Sequence, residues 1–209
     1  MIRNWFACFS LIAAACVAAA PAHAQSLTDG GFEDSGLFTM DGAPFVGTWE
    51  AFTSGDPLSQ ISTTMPYAGS QHLELAIAGA ANQFAGVFQD VPGIVSGQLF
   101  DWSGYHALVN GPSSGIEIRI EWRDSVADTE IARTANFAPT PGSSYEPFSL
   151  VAEAPAGADT ARVVYAIQSF GGAETQTVYV DGAAFSRVVP EPASACLALL
   201  GLGFLRRRR

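Results

Sequence analysis

The chain has 209 residues, 48% of them hydrophobic and 14% charged, with 21 glycines, 12 prolines and a formal net charge of −10. That length holds one domain plus targeting segments, and the composition is too apolar for a disordered chain. Between residues 25 and 188, five arginines face nineteen carboxylates with no lysine, a net charge of −14 that repels phosphate backbones and argues against nucleic acid as a partner.

Residues 1–24 have the three parts of a secretory signal peptide. Arg3 supplies the positive start, residues 5–20 the apolar stretch, and Ala22-His23-Ala24 a small-x-small cleavage site. Cleavage after Ala24 is expected. The alternative is lipoprotein processing at Cys16 behind Ala13-Ala14-Ala15, weakened by the lack of a leucine or valine at Ala13. Cys8, Cys16 and Cys196 all lie in the terminal apolar segments, so residues 25–188 contain no disulfide, thiolate metal site or cysteine nucleophile. With His23 in the signal region, only His72 and His106 remain, which argues against a zinc centre.

Residues 25–188 read as one domain of short strands. The clearest is Ile116-Glu117-Ile118-Arg119-Ile120-Glu121-Trp122-Arg123, whose strict alternation predicts one buried face and one wet face. Similar runs cover 45–52, 58–63, 71–77, 84–91, 97–109, 131–137, 145–152, 161–170 and 175–185, punctuated by breakers such as Pro92-Gly93 and Gly171-Gly172. No stretch here sustains a helical apolar period. Eight to ten strands at this spacing predict an all-β fold, a jelly-roll β-sandwich.

Nothing in this region forms a catalytic constellation, and the domain is read as non-catalytic. Gly111-Pro112-Ser113-Ser114-Gly115 matches the G-x-S-x-G string of serine hydrolases, but it links two strands and no histidine follows it. Glu117 and Glu121 lie on one strand face about 13 Å apart, wide for a glycosidase pair, and alternate with arginines. That face reads as a solvated ladder of charges. His72 and His106 have no visible partners and are expected at ordinary surface or half-buried positions.

The chain closes on Pro190-Glu191-Pro192, an apolar run over residues 193–205, and Arg206, Arg207, Arg208 and Arg209. Thirteen apolar residues make a helix of about 20 Å against about 30 Å of hydrocarbon, short for a stable span. The four terminal arginines fit a cytoplasmic stop signal, leaving the sandwich outside the inner membrane.

This tail, residues 189–209, resembles the PEP-CTERM sorting signal of Gram-negative bacteria. The resemblance implies recognition by an exosortase near Pro190, Glu191 and Pro192, transient inner-membrane anchoring, and removal of the apolar sorting helix with its arginines. Together with signal peptidase at the other end, it implies a protein finally at the cell surface or outside the cell, in the company of exopolysaccharide.

Asp29-Gly30-Gly31-Phe32-Glu33-Asp34, Gly47-Thr48-Trp49, Ala68-Gly69-Ser70-Gln71-His72-Leu73, Gln89-Asp90-Val91-Pro92-Gly93 and Val178-Tyr179-Val180-Asp181-Gly182, in that order, resemble the galactose-binding-like jelly rolls of carbohydrate-binding modules. The resemblance implies a structural calcium ion (Ca2+) where the first and last strands meet. Its ligands would be Glu33 and Asp181, with carbonyls from around Asp29 and residues 47–49. The competing reading makes both carboxylates turn residues at strand ends. Sugar binding needs an aromatic face beside hydrogen-bonding groups. The candidates are Trp102 and Tyr105, three positions apart and so on opposite faces of a strand, with Trp49 and Trp122 behind them, although Trp122 continues the Ile116-Ile118-Ile120 series and reads as core. The leading expectation is a glycan-binding domain acting on exopolysaccharide. The alternative is a structural or adhesive surface protein that contacts other proteins and binds no sugar.

Overall fold

The structure is a computed structural model that describes residues 27–40, 45–55, 58–112 and 115–188. The expected signal peptide, Cys16, the PEP motif, the apolar tail and the terminal arginines lie outside the described residues.

Eleven strands are described: β1 (Phe38–Thr39), β2 (Trp49–Thr53), β3 (Leu58–Ser62), β4 (His72–Ala78), β5 (Phe84–Pro92), β6 (Leu99–Asn110), β7 (Ile116–Asp124), β8 (Thr129–Arg133), β9 (Glu146–Glu153), β10 (Thr160–Gln168) and β11 (Thr175–Arg187). They form two sheets, ordered β1-β2-β5-β10-β7-β8 and β3-β4-β11-β6-β9. Most connections pass from one sheet to the other, so strands distant in sequence become neighbours, as in a jelly roll. The all-β sandwich expected from the alternation is therefore the fold.

Alternation becomes a core in a direct way. Ile116, Ile118, Ile120 and Trp122 of β7 all point inward and are at most 2% exposed. Leu73, Leu75 and Ile77 of β4 do the same from the opposite sheet. Each such side chain contributes roughly 1.5–3 kcal/mol by leaving water. Between the sheets, Trp49 lies 4.9 Å from Phe32 and 6.4 Å from Trp102, and Phe100 stacks on Phe185 at 5.4 Å. These aromatic rings fill the width that aliphatic side chains would leave open.

One strand differs from expectation. The run 131–137 reads as one continuous strand, but β8 ends at Arg133, and beyond it the chain meets β7 through Thr134, whose N–H donates to the Ile120 carbonyl, and through a bridge between Phe137 and Ile118. Within β8 itself Ile131 is an inserted residue, since Trp122 pairs with Ala132 and Arg123 with Glu130. Thr134 then uses its hydroxyl oxygen to accept the Ile120 N–H, replacing a ladder bond.

The segment before β1 is fastened to β11. Ala183 donates its N–H to the Gly30 carbonyl at 2.7 Å. A Cβ on Gly30 would lie 2.0 Å from the Ala183 carbonyl oxygen, so only glycine permits this approach. Phe32 is held at a positive φ of 56°, a strained conformation for an aromatic residue, by its N–H bond to the Asp29 carbonyl and by burial of its ring against Trp49.

Both histidines are more enclosed than expected. His72 and His106 are 0% and 1% exposed. His106 shares a 2.7 Å hydrogen bond with the Tyr165 hydroxyl, while neither ring nitrogen of His72 has a partner.

Candidate functional site

The outer face of the six-stranded sheet carries a groove, and its shape follows from register. Across the middle of the sheet, Phe52 of β2 pairs with Gly86 of β5, Gly86 with Ala166 of β10, and Ala166 with Glu117 of β7. Two small residues side by side leave a hollow. Phe52 leans into it over Gly86, where an added Cβ would meet the Phe52 ring at 2.4 Å and Ala166 at 2.9 Å. The next row on this face is Glu50, Phe88, Val164 and Arg119. The result is two adjoining depressions of about 300 and 200 Å³ that share Phe52 and Arg119.

One wall is aromatic. Phe52 lies 6.0 Å from Phe84 and 6.1 Å from Phe88, with Phe45 a further 5.0 Å from Phe88. The facing wall is charged. Glu121 is shared by three guanidinium groups, those of Arg119 at 2.9 Å, Arg133 at 3.7 Å and Arg123 at 4.0 Å. Arg119 also reaches Glu117 at 3.3 Å. Arg162 grips both oxygens of Asp90 and lies 4.1 Å from the Phe88 ring centroid, joining the charged wall to the aromatic one. Burial works to lower the Arg162 pKa, but the bonds to Asp90 and its charge outweigh that and raise it. Chemically the groove offers flat apolar faces beside fixed donors and acceptors.

This corrects the reading of the Glu117–Arg123 face as solvated. The charge ladder is there, but Glu121 is only 6% exposed. The phenylalanine wall, β8 and the ladder's own ion pairs take it out of water.

The residues singled out for sugar binding are elsewhere. Trp102 is 1% exposed, donates its indole N–H to the Val164 carbonyl, and packs edge-on against Phe148, so it offers no face to a ligand. Its strand position turns it into the sandwich. Tyr105, facing the other way, is half-buried on the outer side of the five-stranded sheet, one ring face stacked on Tyr67 at 3.9 Å. Trp49 and Trp122 are core residues. The structure therefore brings Trp102 and Tyr105 to opposite sides of one sheet and neither to the groove. The missed residues were Phe52, Phe84 and Phe88. Phe84, Gly86 and Phe88 at alternate positions did carry a signal, since period two puts them on one face. That the face is outward depends on which sheet covers the other side.

Glu33 and Asp181 converge on one loop. Glu33 accepts hydrogen bonds from the Ser70 N–H, the Ser70 hydroxyl and the Gln71 N–H, at 2.8, 2.7 and 3.1 Å. The Ser70 hydroxyl and these amides hold its pKa below the usual carboxylate value. Asp181, fully buried, accepts from the Tyr67, Ala68 and Gly182 N–H groups. The Asp29 carbonyl is likewise taken by Phe32 and by the Trp49 indole. A calcium shell needs six to eight oxygens with lone pairs turned to the ion. Here the proposed oxygens face N–H and O–H donors, and among the described residues no three His, Cys, Asp or Glu side chains gather. The arrangement fits a hydrogen-bonded clamp on residues 67–71 and does not fit a calcium shell. The clamp also sets Tyr67 against Tyr105.

Gly111, Pro112 and Gly115 belong to the β6–β7 connection, and the next element is a strand. Ser113 lies outside the described residues.

Residues 188–209 match the PEP-CTERM protein-sorting motif, which includes Pro190, Glu191, Pro192 and the four terminal arginines. The chain thus ends in a signal for export and transient membrane anchoring. No curated protein sequence matches the chain. Among solved structures, the sandwich is similar to the enzymatically active domain of bacteriophage CBA120 tailspike protein 4, at TM-score 0.57 and 15% identity, covering 77% of this chain and 21% of that one. The chain thus spans about a fifth of the tailspike's length. It is also similar to a family 4 carbohydrate-binding module, at TM-score 0.52 and 14% identity, covering 78% of this chain and 99% of the module. At these identities the likeness establishes the fold.

Proposed function

We propose that this is an exported surface or extracellular-matrix protein whose non-catalytic sandwich binds glycan in the groove of the six-stranded sheet. One observation carries the reading: Phe52, Phe84 and Phe88 form an apolar wall directly across from hydrogen-bonding side chains held in place by ion pairs. Pyranose rings pack their C–H faces on aromatic rings while their hydroxyls need donors and acceptors at the ring edge. Ion pairing fixes the polar groups before a ligand arrives, which lowers the ordering cost of binding.

The sorting motif supplies the setting. Signal peptidase and an exosortase act in turn, the latter near Pro190, Glu191 and Pro192. Transient anchoring at the inner membrane of a Gram-negative cell then gives way to release or attachment at the surface, where exopolysaccharide is the available glycan.

Affinity electrophoresis of the purified chain through gels containing polysaccharide tests the reading. Retardation by at least one polysaccharide, lost in Phe88→Ala, is the expected result. Equal mobility in every gel would return the protein to a structural or adhesive role.

A further inference from the structure

Four of the five arginines between residues 25 and 188 (Arg119, Arg123, Arg133 and Arg162) lie on the groove face of one sheet. In a domain of net charge −14 such concentration would ordinarily suggest a site for an anion. The pairing contradicts that. Arg162 is committed to Asp90 at 2.7 Å, Arg119 to Glu117 and Glu121, Arg133 to Glu130 and Glu121, and Arg123 to Asp128 and Glu121. Four cations thus meet five carboxylates on this face.

Resting on the glycan reading, we infer that the groove selects neutral polysaccharide and rejects chains bearing uronate or sulfate groups. A carboxylate or sulfate drawn to Arg119, Arg123 or Arg133 would have to compete with Glu121, which all three already share, and at Arg162 it would have to lie beside the Asp90 carboxylate. It would do so against the field of a domain carrying a large negative charge. A hydroxyl faces no such barrier. Each sugar hydroxyl both donates and accepts, and the ladder offers guanidinium N–H donors next to carboxylate acceptors along β7 and where Arg162 of β10 meets Asp90 of β5. Two of the five N–H groups of Arg162 are used on Asp90, which leaves donors for a ligand without breaking the pair. Gln168 is oriented by Glu117 and lines the same depression.

The inference sets the salt response as well as the ligand class. Binding a neutral chain brings no new charge pair, so affinity should change little with ionic strength. An acidic chain held by arginines would lose affinity as salt screens the contact.

The test is affinity electrophoresis of the purified chain against two neutral polymers, xyloglucan and β-1,4-galactan, and two acidic ones, polygalacturonate and alginate, at low and high salt. The expected result is retention by a neutral polymer at least about tenfold stronger than by either acidic one, equivalent to about 1.4 kcal/mol, and nearly unchanged by salt. Glu121→Gln, which removes the partner shared by three arginines, should raise retention by the acidic polymers. Stronger retention by polygalacturonate or alginate, lost in high salt and lost in Phe88→Ala, would overturn the inference and leave the groove as the glycan site. Retention by no polymer, or retention untouched by Phe88→Ala, would overturn the inference together with the reading it rests on.

Discussion

The phenylalanines of the groove have no hydroxyl to satisfy, so their contribution to a ligand is contact area alone. Phe88 is the most consequential, because it touches Phe45, Phe52 and the Arg162 guanidinium together. Phe88→Ala is expected to weaken polysaccharide binding by roughly 1–2 kcal/mol, about tenfold, as read by titration calorimetry. The circular dichroism melt should shift little, since the ring stands on the outer face. A second residue-scale expectation concerns the histidines. Burial, partly offset by Glu146, lowers the His106 pKa to about 4, and burial lowers that of His72 as well. Above pH 6.5 both are neutral folded or unfolded. As pH falls from 6.5 towards 4 the unfolded chain takes protons first, so stability declines through this window, by about 3 kcal/mol for His106, and levels off below it. His106→Gln should make the fall in urea-melt stability shallower between pH 6.5 and about 5.5, before Glu33, at its ordinary carboxylate value in the unfolded chain, takes up protons. An unchanged slope would remove His106 from the account.

At the scale of elements, two features can be tested by changing a single residue. Gly86→Val should push Phe52 off its seat beside Ala166 and close the hollow, abolishing glycan retention while the sandwich still folds. The clamp is the other. Asp181 holds two loop N–H groups and Glu33 holds two more. If hydrogen bonds suffice, adding a chelator leaves the melting temperature unchanged, while Asp181→Ala, which strands buried donors, costs about 1–3 kcal/mol. A clear fall in melting temperature with chelator, reversed by calcium, would restore the metal reading.

The elements also show what sequence could and could not reveal. Strands such as 116–123 were legible because alternation is a local property. Their order in the sheets was not, since β5 meets β10 across some seventy residues. Without that pairing, Phe84, Gly86 and Phe88 could not be seen to share a floor with Ala166 and Glu117. Trp102 was singled out for its chemistry, but its face of the strand looks inward. Parity alone said that Trp102 and Tyr105 would be separated, and it was silent on which one would be buried.

For the whole molecule, the proposed function makes the two ends and the middle successive stages. The tail matches a sorting motif, which implies export and transient anchoring, and in the proposed function the acidic sandwich is the part that remains at work. If an exosortase acts near residues 190–192, mass spectrometry of the extracellular protein should find no peptide containing Arg206, Arg207, Arg208 or Arg209. A full-length, inner-membrane product in a host carrying the protease would contradict this. The net charge of −14 between residues 25 and 188 keeps such a product soluble and discourages acidic polymers from approaching, whereas the paired charges of the groove leave neutral chains unopposed. In the proposed function the groove binds sugar through Phe52, Phe84 and Phe88. The most direct measurement is calorimetric titration of the purified chain, and of Phe52→Ala and Phe88→Ala, with a polysaccharide that retards the parent protein. The parent should bind saturably, and each variant about tenfold more weakly at unchanged fold. Equal affinity in all three would contradict that function.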